Sequence, residues 1–161
     1  MLISPELADA INAQIGREFG ASMQYLSIAA HFDQRHLSLL AKLFFEQAEE
    51  EREHALKLLR YLLETKSPLT IPAIAAPQAS FATAEEAMQA ALKWETEVTG
   101  QITDLMNIAA AKSDYLSQGF LQWFIDEQLE EIAKMSRLLD IVQQSGEKNL
   151  LMVEAYLIHS G

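Results

Sequence analysis

Five residues in helix-forming stretches of this chain have side chains suited to holding a cation: Glu18, Glu51, His54, Glu95 and Glu131. Each falls in a stripe of residues spaced by three and four, the period of a buried helix face. The first stripe reads Ile11, Ile15, Glu18, Ser22, Tyr25. The second reads Leu40, Phe44, Gln47, Glu51, His54, Leu58, Leu62. The third reads Met88, Ala91, Glu95, Val98, Ile102, Leu105, Ala109, and the fourth Leu121, Phe124, Gln128, Glu131, Met135, Leu138, Val142. One glutamate on such a stripe is ordinarily a side chain that reaches solvent. Four of them at similar depth on four helices need another explanation. Burying a bare carboxylate costs several kcal/mol unless a cation or a proton compensates it. No stripe position is Lys or Arg, so a bound metal is the obvious remaining compensator.

The ligand types narrow the metal. Carboxylates with one imidazole suit iron or manganese rather than a thiolate-seeking ion. Glu51-x-x-His54 sets both side chains one turn apart on one face. In bundles with inward-facing di-metal sites, two helices give one Glu each and the other two give Glu-x-x-His pairs. Here Glu18 and Glu95 are the single acids and Glu51/His54 is the first pair. The second pair is altered to Gln128-x-x-Glu131.

Four long helices must position these residues. The first starts at Ser4-Pro5, a capping serine before a first-turn proline, and runs to about Phe32. A turn over Asp33–Leu37 leads to a second helix, Ser38 to Glu64. The third begins with the capping box Thr83/Glu86 and continues to about Ala111. The fourth runs from near Asp114 to Ser145-Gly146, where glycine suits the C-terminal cap. Two connections are short and make antiparallel neighbours. The link Ser67–Ala82 has 16 residues and three prolines. Extended, it reaches roughly 50 Å, longer than the roughly 40 Å of the second helix. It can therefore cross the bundle and make the second and third helices parallel. The expectation is one all-α domain over 1–161: a four-helix bundle (about 4–146) with one long crossover and a short fifth helix (about 147–158). The fifth segment is apolar on nearly every side across Leu150–Val153 and Ala155–Ile158. It must be buried, and neighbouring copies of the chain are the simplest cover.

Composition closes off other classes. The chain has no cysteine, which excludes disulfides, thiolate metal sites and cysteine nucleophiles. Its formal net charge is −11, without a basic stripe, so nucleic acid is not an expected partner. No apolar run approaches the ~20 residues of a membrane span. The start MLISPELADA lacks the basic and apolar regions of a secretory signal, so a cytoplasmic protein is expected.

With these residues in place, the chain resembles the bacterial and archaeal non-haem ferritins over nearly its whole length. The matching stretches are Arg17-Glu18, Ala48 through His54, Trp94-Glu95, and Asp114-Tyr115 with Phe120 through Glu131. The resemblance implies a ferritin-like bundle that oxidises Fe(II), with dioxygen or hydrogen peroxide as oxidant, and stores ferric mineral in a cage of 24 subunits. It implies that Glu18, Glu51 and His54 hold one iron. Glu51 would bridge to a second, held also by Glu95 and Glu131. Gln128 would lie beside the pair, placed to contact oxygen. A third iron site would use Glu50, Glu127, Glu130 and Glu131, although these acids also fit a solvated helix face. Tyr25 matches a tyrosine that can supply an electron, and it equally fits an ordinary core aromatic. Bacterioferritin fits less well. It would have a metal-binding histidine where Glu130 stands and a haem-ligating methionine where Arg52 stands, so no haem is expected. Rubrerythrin would add a cysteine-rich part, and the starvation-induced miniferritins build their site between subunits. His31, His36 and His159 match no motif. Two other readings of the residues stay open: a di-metal oxidase or peroxidase without storage, and a helical scaffold whose acids are solvated.

Overall fold

The computed structural model describes residues 1–160. It contains four long helices, α1 (Pro5–Gln34), α2 (Ser38–Glu64), α3 (Ala84–Ala111) and α4 (Tyr115–Ser145). A 3-10 turn at Glu147–Asn149 leads into α5 (Leu150–Ser160). The starts are set by side-chain caps, those at Ser4 and Thr83 as expected. Ser4 Oγ accepts the Leu7 N–H at 3.2 Å, and Pro5 occupies the first turn. Thr83 Oγ1 accepts the Glu86 N–H at 3.0 Å. The returning arm of this box differs from the standard form: Glu86 accepts from the Ala82 N–H at 2.8 Å, one residue earlier. Asp114 caps α4 through the Ser117 N–H at 2.9 Å. Gly146 ends α4 with φ +74°, a conformation costly for a residue with a Cβ.

Helix α1 continues past Phe32 to Gln34, so the turn to α2 is only Arg35–Leu37, with His36 in the left-handed region at φ +61°. α1 packs mainly on α2, and α3 on α4. The crossover can be followed along α1. Asn12 Nδ2 donates to the Pro68 carbonyl and Asn12 Oδ1 accepts from Thr70 N–H, at 2.9 and 2.7 Å. Ten residues further along the link, Gln78 pairs with Gln24 and Ser27. The link thus rises from the N-terminal half of α1 towards the end where α2 begins, and α3 starts there, parallel to α2. The strap lies so close that a Cβ on Gly16 would collide with the Pro72 ring.

Every residue of the four stripes is buried, as expected. The apolar core forms two clusters. One gathers Tyr25, Phe32, Leu40, Phe44, Met88, Met135 and Leu138. The other gathers Ile11, Ile15, Leu58, Leu62, Val98, Ile102, Leu121 and Phe124. The stripe acids fall between them in sequence on all four helices, so the carboxylates form a polar layer capped by hydrocarbon at each end.

The fifth helix is held at the bundle end by charged caps. Leu37 gives α2 no side-chain cap. Instead both carboxylate oxygens of Glu154 accept the Leu39 and Leu40 N–H groups, each at 2.9 Å. Glu147 accepts the Ala84 N–H at the start of α3. Within the single chain only Leu150 and Val153 of α5 are buried. Leu151, Met152, Tyr156 and Ile158 are exposed.

Candidate metal centre

The polar layer is dry. Glu18, Glu51 and Glu95 have 0% of their surface exposed, Gln128 and Glu131 2%, and His54 4%. The stripes bring their side chains together in two overlapping groups, Glu18–Glu51–His54 and Glu51–Glu95–Glu131. Within each group, one donor atom per residue lies within 4.8 Å of the others. Glu51 belongs to both groups. His54 Nδ1 faces Glu51 Oε2 at 3.2 Å and Glu18 Oε2 at 4.0 Å. The imidazole is fixed by packing, its ring set roughly perpendicular to those of Trp123 and Phe124 at 5.4 and 6.1 Å between centroids.

Amide side chains aim the carboxylates. Gln14 Nε2 donates to Glu18 Oε1 at 3.0 Å, and Arg17 in turn donates to the Gln14 oxygen at 3.1 Å. Gln47 Nε2 donates to Glu51 Oε1 at 3.2 Å and to Glu131 Oε2 at 2.6 Å, tying α2 to α4. Gln128 Nε2 donates to Glu95 Oε2 at 3.0 Å. Tyr25 Oη donates to the other Glu95 oxygen at 2.5 Å. Glu18 Oε2 has no hydrogen-bond partner although it is fully buried. A buried orphan oxygen is costly, and here it points at the imidazole of the same group.

The electrostatics follow from this crowding. Burial pushes the Glu51 carboxyl well above the usual carboxylate range, and the neighbouring Glu18 and Glu95 charges add to the shift. Burial likewise raises Glu18. Glu131 is pushed up to about 8 by burial, despite the opposing Lys134 ammonium. Tyr25 is held far above the ordinary phenol range, by burial first and the Glu95 charge next, so it stays a donor. A dication bound among Glu18, Glu51 and Glu131 would compete with the protons that their raised carboxyl groups favour. The donor set of the layer is oxygen plus one nitrogen, which fits a hard or borderline divalent ion.

A third group lies at the rim. Glu50, Glu127 and Glu131 each offer an oxygen within 4.8 Å of the others. Glu130 is exposed and stands outside this group. Three neighbours had not been singled out from the sequence: Gln14, Lys57 and Lys134. Gln14 lies one turn before Glu18. Lys57 places its ammonium 3.4 Å from the centroid of the Trp123 ring that backs His54. Lys134 lies one turn after Glu131, which is the one sequence signal that could have flagged it.

Comparison with known proteins agrees with this architecture. The model of the ferritin-like domain family matches residues 8–145. Ferritin BfrB of Mycolicibacterium smegmatis is 42% identical over 147 residues, covering 91% of this chain and 81% of that protein. A bacterial non-heme ferritin of Staphylococcus aureus is 32% identical over 146 residues, covering 91% and 88%. Among solved structures, the open pore ferritin from the archaeon Archaeoglobus fulgidus superposes with a TM-score of 0.92. It is 29% identical, and the match covers 96% of each chain.

Proposed function

The chain belongs to the ferritin family, and on that premise we propose that it is a ferroxidase and an iron store. It oxidises Fe(II) with dioxygen, or with hydrogen peroxide, at a centre inside each subunit. The observation that carries this reading is the position of Glu51, a fully buried carboxylate common to two ligand groups. One Fe(II) is received by Glu18, Glu51 and His54, the other by Glu51, Glu95 and Glu131. Two Fe(II) ions held side by side can together give two electrons to one oxidant, one from each as it passes to Fe(III).

The protein's own part is positioning and charge. The raised carboxyl groups release protons as iron arrives, so the metal replaces protons rather than adding charge to a dry site. The amides of Gln14, Gln47 and Gln128 hold carboxylate oxygens in place beforehand. Gln128 also lies next to Glu95, where an oxidant approaching the second iron would meet its amide. The hydrocarbon clusters keep bulk water away from the reaction. Ferric product then leaves the centre to join a mineral.

Storage needs an enclosure. The exposed apolar residues of α5 support self-association, and a cage of 24 subunits is the assembly proposed. Among the described residues no helix is long and apolar enough to cross a membrane. A cytoplasmic location is part of the proposal. Aerobic Fe(II) titration combined with size-exclusion analysis tests the whole reading: iron should be oxidised and retained by a large assembly. A monomer that releases all its iron would refute it.

A further inference from the structure

We propose that Lys134 is a resident cation that occupies the place of a third metal ion and confines tight divalent binding to the two positions built around Glu51. The inference rests on the reading of that pair as a metal centre.

The acids at the rim, Glu50, Glu127 and Glu131, are spaced for a cation. A cation already stands beside two of them, Glu50 and Glu131. Lys134 Nζ lies 3.5 Å from Glu50 Oε2 and 3.8 Å from Glu131 Oε1. It also donates to Gln47 Oε1 at 2.9 Å. Its side chain is 32% exposed, against 2% for Glu131, so the ammonium sits at the boundary between water and the dry layer. The carboxylates that would attract a third dication are thus partly neutralised by a charge fixed to the chain. Being tethered three residues from Glu131, this charge is always at hand. A metal ion can take the position only by expelling it.

The same contact orders Gln47. An amide whose oxygen accepts from an ammonium must turn its nitrogen the other way. That nitrogen faces Glu51 Oε1 and Glu131 Oε2. Lys134 therefore holds Glu131 towards the pair from both sides, by direct attraction at the rim oxygen and through Gln47 at the inner one. Lys134 is a positioning and selectivity residue that touches no ion of the pair itself.

The test uses the assembled, metal-free protein and zinc, a divalent ion without redox chemistry. Equilibrium dialysis at micromolar free zinc should show about one more zinc per subunit bound by Lys134→Met than by wild type. Lys134→Arg, which keeps the charge, should show no gain, and adding Glu50→Gln to Lys134→Met should abolish it. Crystals soaked in zinc should give an anomalous peak among Glu50, Glu127 and Glu131 in Lys134→Met only. Equal zinc in Lys134→Met and wild type would overturn the proposal. So would a zinc peak at that place in wild type with Lys134 turned away. Glu51→Ala separates the two readings. If it loses zinc while Lys134→Met gains none, the pair stands and the resident cation fails. If Glu51→Ala loses no zinc, the reading of the pair fails.

Discussion

Tyr25 donates its phenolic hydrogen to Glu95 Oε1 at 2.5 Å, joining α1 to α3 at the edge of the metal centre. Both residues are fully buried. The phenol is therefore next to the second ligand group and sealed from water, a place from which it orients Glu95; the electron-donor role that the resemblance implies for Tyr25 is what its replacement tests. Tyr25→Phe removes a hydrogen bond to a charged or chargeable acceptor. The metal-free protein should lose roughly 1–3 kcal/mol of stability, measured by urea unfolding. Zinc capacity should stay unchanged, while any tyrosyl radical signal seen by electron paramagnetic resonance after iron addition should vanish. A variant with wild-type stability and an intact radical signal would assign both roles elsewhere.

Acidity of the buried carboxyl groups gives a second prediction. The Glu131 carboxyl is raised from 4.5 to about 8, with burial as the main cause. Between those values the folded chain keeps a proton that the unfolded chain has released. The folded state then binds more protons, so stability falls as pH rises through this window. Glu18 and Glu51 are shifted in the same direction. Metal-free protein should therefore have a higher urea midpoint near pH 6 than near pH 8, and Glu131→Gln should flatten that slope. Metal uptake at pH 7 should release protons, read by calorimetry in two buffers of different ionisation enthalpy. A midpoint that rises from pH 6 to pH 8 would contradict the protonated layer.

The fifth helix supplies a third. Glu154 caps α2 from α5, and its loss should cost about 1 kcal/mol, the usual worth of a helix cap. Because that cap also docks α5, Glu154→Ala should loosen the surface formed by Leu151, Met152, Tyr156 and Ile158. The expected result is a large assembly that dissociates at lower denaturant than wild type, followed by light scattering, while helical content persists. Removing residues from Glu147 onward should do the same more severely. An assembly unaffected by both changes would mean that α5 plays no part in association.

Much of this arrangement was legible in the chain. Ser4 and Thr83 marked helix starts because short oxygen-bearing side chains satisfy free N–H groups, and the structure uses both. The stripes located the buried acids because helix period alone decides which residues share a face. Side-chain reach was harder to see. Lys134 lies off the stripe of α4, and only its long flexible stem brings the ammonium back to Glu131 and Gln47. Glu130, which the resemblance puts beside the third position, is exposed and lies outside the group of Glu50, Glu127 and Glu131. Glu154 was equally silent in the sequence, since its partners Leu39 and Leu40 lie over a hundred residues away. Burial of the apolar fifth helix is only partly met within one chain, where Leu150 and Val153 are the buried residues of α5, and self-association is the cover proposed for the rest.

In the proposed centre Glu51 serves two irons at once. The most direct measurement is stopped-flow oxidation of Fe(II) by dioxygen, titrated against subunit concentration, in wild type and in Glu51→Ala. Glu51 is fully buried between the two ligand groups, and losing a buried acid that lacks its metal removes little stability, so the variant should fold and assemble. The wild-type rapid phase should saturate at about two irons per subunit, as two adjoining positions require. In Glu51→Ala that phase should disappear. A variant that keeps the full rapid phase at the same stoichiometry would rule out the shared role of Glu51.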